Sequence, residues 1–156
     1  MDSQKPCLYV VGSLRNPTIP EIGNELKKIG WDAFTDWYAA GPEADDYWQK
    51  HERARGRDYR QALDGYHAKH VFDFDYRHLN RACAGLLVLP AGKSCHLELG
   101  FLAGQEKPVY VLFQEQPKDG RWDIMYNFCT DIFFSMEEML EGLKIEDHYK
   151  ATIESI

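Results

Sequence analysis

A chain of 156 residues, 44% of them apolar, is long enough to bury one core of ordinary domain size. Its net charge of −7 comes without a basic block, which excludes the positive footprint needed to hold a nucleic-acid polymer, although one arginine near a helix end still suffices for a small anion. No run is long and apolar enough for a membrane span, the opening residues lack the pattern of a secretion signal, and four scattered cysteines without a Cys-x-x-Cys pair suggest reduced thiols, so a cytoplasmic protein is expected.

In chain order, "CLYVVG" (7–12) is a short apolar run closed by glycine and reads as a buried strand. "SLRNPTIP" is a polar turn in which Pro20 can open a helix at its first position. "EIGNELKKIG" spaces Ile22, Leu26 and Ile29 along one helix face and stops at Gly30. "WDAFTDW" alternates apolar and polar residues and predicts strand two. The stretch 39–57 carries Gly41-Pro42, many charges and Trp48, and reads as a long, partly helical excursion; long loops in compact domains are often functional. "DYRQALDGYHAKH" and "DFDYRHLNRA" have helical patterning, "AGLLVLP" is a strand, "CHLELGFLAGQ" a helix and "PVYVLF" a strand. A loop with room for one helical turn spans 118–128, and "DIFF" is a last short strand. "SMEEMLEGLK" is a helix with Ser135 as N-cap and Glu138 three residues on, a capping box.

Strands alternating with helices predict one α/β domain over 1–156: a mostly parallel five-stranded sheet of flavodoxin-like, Rossmann-like form with helices on both faces and an insertion near 38–57. The near-continuous apolar strands agree, because such strands are buried on both faces. Ligands of these sheets sit beyond the carboxyl ends of the strands. That rule brings "GSLRN", "PAGKS" and "FQEQPKDGRWD" to one rim. Glu98 falls near the start of the helix at that rim, where the partial positive charge of the helix terminus favours an ionised carboxylate, and such a group can act as a nucleophile. The alternative is that Glu98 only caps its own helix.

Four blocks, "YVVGSLRN", "DYRHLNRACAGLLVLP", "GKSCHLELGFLAGQEKPV" and "RWDIMYNFCTDIFF", resemble the nucleoside 2-deoxyribosyltransferase superfamily, which includes the 2'-deoxynucleoside 5'-phosphate N-hydrolases. The resemblance covers nearly the whole chain outside 38–57. It is similar in particular to a branch of phages and bacteria whose turn reads Gly-Arg/Lys-Ser-x-His-Leu-Glu. The Glu-Leu-Gly block is specific in context, whereas "GSLRN" alone is weak.

The resemblance implies cleavage of an N-glycosidic bond, with Glu98 as nucleophile at the anomeric carbon and a glycosyl-enzyme resolved by water or a second base. Asp75 matches the aspartate that helps to protonate the leaving base, a task that needs a raised pKa; the alternative is a helix-terminal carboxylate, and Asp73 is its neighbouring competitor. Tyr9 matches an aromatic hydroxyl that orients the nucleophile, or is a core tyrosine. Gly12, Ser13, Arg15 and Asn16 match the turn that holds a 5'-phosphate, for which the arginine fork is suited. Arg15 therefore predicts that a nucleoside monophosphate is preferred over the nucleoside, although Asn16-Pro17 replaces the glycine-rich continuation of the hydrolases. Gly92 and Ser94 match the small-residue turn, with capping as the plainer account of Ser94. His96 departs from the glycine of better-known members. Asp123 and Met125 fall where transferases send residues into a neighbouring subunit's site. Trp37 and Phe34 follow or end strand two and can stack on a base or pack in the core.

His67 and His70 are three apart on a helix, but without a further ligand pattern no metal is expected, and no cofactor either. The expected function is hydrolysis of a nucleoside 5'-monophosphate or base exchange on a nucleoside, by a homodimer or higher homo-oligomer with no nucleic-acid polymer or membrane partner. Two other readings are a non-catalytic nucleotide sensor and a TIR-like NAD glycohydrolase.

Overall fold

The computed structural model describes residues 5–145; the segments 1–4 and 146–156, which include the first residues read for a secretion signal, lie outside it. Five strands, β1 (Cys7–Val11), β2 (Asp32–Phe34), β3 (Ala84–Val88), β4 (Val109–Leu112) and β5 (Asp131–Phe133), form one sheet in the order β2-β1-β3-β4-β5. Every pairing is parallel. This is the flavodoxin-like α/β arrangement that the alternating elements predict.

The period of two along each strand decides the layers. Leu8, Val10, Leu86, Val88 and Leu112 turn to one face, where α1 (Ile19–Lys28) contributes Ile19, Ile22 and Leu26 and α6 (Met136–Gly142) contributes Met139. Tyr9, Val11, Leu87 and Val111 turn to the other face. There α4 (Tyr66–Arg81) contributes Leu79, and α5 (Lys93–Gly104) contributes Cys95, Leu99 and Leu102. Both faces are covered, as apolar strands require.

Several local expectations change. Helix α1 starts at Ile19, one residue before Pro20, and Asn16 Oδ1 accepts from the Thr18 N–H at 3.0 Å. The alternating "WDAFTDW" keeps strand geometry only over β2; Asp36–Ala40 is a 3-10 helix, and Trp37 Nε1 donates to the Val10 carbonyl at 2.8 Å. A short amphipathic stretch cannot distinguish a strand from a tight turn whose ring reaches back to the sheet. Of the Ser135 capping box, the Ser135 hydroxyl accepts from Glu138 N–H at 3.1 Å, but the Glu138 carboxylate accepts from Phe134 N–H at 3.0 Å rather than from the cap residue.

The excursion after β2 builds α2 (Ala44–Ala54) and α3 (Tyr59–Leu63) before the chain enters α4. An ion pair between the buried Glu52 and the half-buried Arg57, whose Nη1 lies at 2.8 Å, ties the end of α2 to the turn before α3. Leu79 is the only buried residue of α4, so its C-terminal part rests on the sheet while the residues from Tyr66 to Asp75 form a wall facing α2.

Candidate active site

Three side chains from three elements meet beyond the carboxyl ends of β1 and β3. Tyr9 leaves the α4–α5 face of the sheet at the middle of β1. Glu98 comes from the second turn of α5, and the Tyr9 hydroxyl donates a hydrogen bond to its carboxylate. Asp75 stands one turn before the buried Leu79 on α4, so the four-residue spacing holds it on the inward stripe. All three line a cavity of about 1150 Å³ enclosed by the turn after β1, the α2 excursion, α4 and the start of α5.

Desolvation governs their charges. Burial pushes Glu98 up to about 8; the charge of Asp75 adds to the rise and the Tyr9 hydrogen bond opposes it. Burial pushes Asp75 up to about 6. Tyr9 is raised by burial first, then by Glu98 and Asp75, and remains a proton donor. This corrects the expectation that the helix terminus keeps Glu98 ionised. The helix field falls off within the first turn, Glu98 is in the second, and burial outweighs it. Near neutral pH the two carboxyl groups therefore hold one proton between them. Nor does Glu98 cap its helix: Gly92 is the N-cap, and Glu98 faces Tyr9.

The turn after β1 is built as a unit. Ser13 Oγ accepts from Arg15 N–H at 3.1 Å, and the Ser13 carbonyl accepts from Asn16 N–H at 3.0 Å. A side chain at Gly12 would meet Ile19 Cδ1 at 2.6 Å, so any larger residue there would force the Ile19 side chain to move. Gly12, Ser13 and Arg15 line the cavity, while Asn16 is buried behind it with its Oδ1 on Thr18. Arg15 is already engaged: its Nη2 lies 3.0 Å from Asp46 Oδ2, and its Nε donates to the Pro42 carbonyl at 3.3 Å.

Gly92 and Ser94 line the same cavity at the start of α5. Ser94 is inside the helix rather than at its cap, which corrects the capping account of that residue. His96 turns away from the cavity. Its Nδ1 donates to the Gly92 carbonyl at 2.8 Å, which leaves Nε2 to accept from the Tyr126 hydroxyl at 3.0 Å. Asp123 caps the 3-10 helix Ile124–Phe128 by accepting from Met125 N–H at 2.8 Å, and neither Asp123 nor Met125 lines this chain's cavity. The segment after β4, placed on the rim by sequence, stays outside the cavity as well; Gln114 Nε2 donates to Thr18 Oγ1 at 2.8 Å and only braces the rim. Trp37 lines the cavity, whereas Phe34 is core, stacked on His78 at 3.9 Å between ring centroids and tilted against Tyr9 at 5.1 Å. Asp73 is exposed and does not reach the cavity.

Sequence reasoning passed over Asp46 and Asp36. The two aspartates line the cavity from the excursion, where neither periodicity nor motif marks them. His67 and His70 also line it, on α4; among the described residues no group of three or more His, Cys, Asp or Glu side chains is arranged to hold a metal ion. Among the same residues no helix is long and apolar enough to cross a membrane. No protein-family model matches the chain, and no curated protein matches it either.

Proposed function

We propose that the chain is an N-glycosidase or deoxyribosyl transferase of the nucleoside 2-deoxyribosyltransferase type, acting on a nucleoside or its 5'-monophosphate. The observation that carries this reading is the Tyr9–Glu98–Asp75 constellation in one cavity, with two carboxyl groups sharing a proton near neutral pH. Cleavage of a sugar–base bond through an oxocarbenium-like transition state uses two carboxyl groups, one protonated and one ionised. In this mechanism the shared proton lies on Asp75 once the substrate is seated, which leaves Glu98 as the carboxylate. Glu98, oriented by the Tyr9 hydroxyl, then attacks the anomeric carbon as the bond to the base breaks. Asp75 gives its proton to the departing base nitrogen. Water or a second base, losing a proton to the Asp75 carboxylate, finally attacks the anomeric carbon of the glycosyl–Glu98 ester and releases the Glu98 carboxylate. Trp37, at the cavity wall, offers a ring face to the base.

The test is release of free base from a panel of nucleosides, their 5'-monophosphates and NAD, by the unmodified protein and by Glu98→Gln. The substitution keeps shape and removes the nucleophilic charge, so turnover should fall by ~10³-fold or more. A folded Glu98→Gln protein with near-normal turnover would refute the mechanism. Failure of the unmodified protein to release base from any of the panel would refute the function. The working form is proposed to be a homo-oligomer in the cytoplasm.

A further inference from the structure

Among the described residues lining the cavity, Arg15 is the one arginine or lysine, and it is already paired. Asp46, in the first turn of α2, pairs with it at 3.0 Å, and the Pro42 carbonyl takes its Nε. Both contacts come from the excursion, not from the α/β core. Asp36 and Asp45 line the same cavity, so with Asp46 the aspartates of the excursion side outnumber the single guanidinium. A phosphate at Arg15 would meet a guanidinium whose charge Asp46 already matches, and would sit close to that carboxylate. Their repulsion is only partly reduced by solvent screening.

We propose that Asp46 sets phosphate discrimination in this site: by neutralising Arg15 it makes the cavity select an unphosphorylated nucleoside over the corresponding 5'-monophosphate. The inference rests on the nucleoside reading given above and reverses the preference that Arg15 alone predicts. Asp46 acts through Arg15 and is therefore a positioning residue. The Pro42 carbonyl holds the same guanidinium through Nε, so both contacts tie Arg15 to the start of α2.

The readout is binding, kept separate from catalysis by working in Glu98→Gln protein, in which the ligands survive. Calorimetric titration with the common 2'-deoxynucleosides and their 5'-monophosphates gives the monophosphate-to-nucleoside affinity ratio. In the Glu98→Gln background that ratio should favour the nucleoside. Adding Asp46→Asn should raise it about tenfold, the scale of one unit charge acting across a partly screened site. Asp46→Glu should restore most of the original ratio. In Arg15→Ala protein, adding Asp46→Asn should recover little of the gain, because the cation it would release is gone. Three results each overturn the proposal: a strong monophosphate preference before any change at Asp46, a ratio indifferent to Asp46→Asn, or a gain that persists in full without Arg15. Base release by the unmodified protein together with any of these would leave the glycosidase reading standing. Binding of neither ligand class to any variant would overturn both.

Discussion

Glu98 shows how a site residue can be costly to the fold that carries it. Its carboxyl titrates near 4.5 when solvated and is pushed up to about 8 in the folded chain, with burial as the main cause and Asp75 adding to it. Between those values the folded state binds a proton that the unfolded state has released, so stability falls as pH rises through the interval, and the full penalty is present above it. Glu98→Gln removes the ionisable group, while the amide oxygen can still accept the Tyr9 proton. The variant should therefore match the unmodified protein near pH 4.5 and become progressively more stable toward about pH 9, by ~1–3 kcal/mol once partial exposure and relaxation are allowed for. Thermal melts of both proteins across that range provide the check; a difference in Tm that does not change with pH would show that Glu98 carries no such penalty. Arg15 presents the opposite case. Its charge is matched, but by an exposed ion pair that contributes little to stability and acts on what can enter the cavity.

At the scale of elements, the site depends on how closely α5 lies on β3. A side chain added at Gly85 would run into Leu102 of α5, with Val109 Cγ1 3.6 Å away on the other side. Gly85→Ala should therefore push α5 outward and cost ~1–3 kcal/mol, the usual penalty for overpacking. Gly100, on the same helix, has open space where its side chain would go, so Gly100→Ala should be neutral or stabilise by up to ~1 kcal/mol through helix propensity. Urea denaturation of the two variants separates these signs; equal effects would remove the argument from close packing. The same elements explain what the sequence made legible. The strands and α5 could be read because burial on both faces leaves continuous apolar runs, and the alternation in "CLYVV" already separates Tyr9 from Leu8 and Val10. Asp75 was legible through its motif, and its four-residue spacing from Leu79 agrees. Asp46 was not, because its partner is 31 residues away in sequence and the excursion that carries it has charges without a period. Nor could the sequence reveal the charge state of Glu98. Position in a helix can be read from residue order, but desolvation depends on Tyr9, Asp75 and the cavity walls coming together from separate elements.

The whole molecule leaves more apolar surface open than one chain needs. Trp122 and Ile124 are each 78% exposed, Phe128 is 69% exposed, and Met125 is exposed beside them around the last 3-10 helix. Leu97 is 75% exposed on α5, next to His96, whose hydrogen bond to Tyr126 joins that helix to this segment. That hydrogen bond brings α5, the helix that carries Glu98, and the exposed apolar residues of the segment after β4 to one side of the molecule. Such patches on globular chains mark interfaces. We expect a second copy of the chain to cover this one about a two-fold axis, since a two-fold contact uses the same patch twice and needs no complementary surface elsewhere. Covering Trp122 fully would contribute ~2 kcal/mol or more from its apolar area. In a symmetric pair the loss is counted on both sides, so Trp122→Ser should weaken the dimer by ~10²-fold or more. His96 and Tyr126 then gain a role that neither has in a single chain: their hydrogen bond fixes the interface segment relative to α5. Light scattering and analytical ultracentrifugation over a concentration series should show a dimer of the unmodified chain and a shift toward monomer for Trp122→Ser, with base release falling in parallel. A fully active monomer at every concentration would mean that the patch serves some other contact and that each cavity is complete within its own chain.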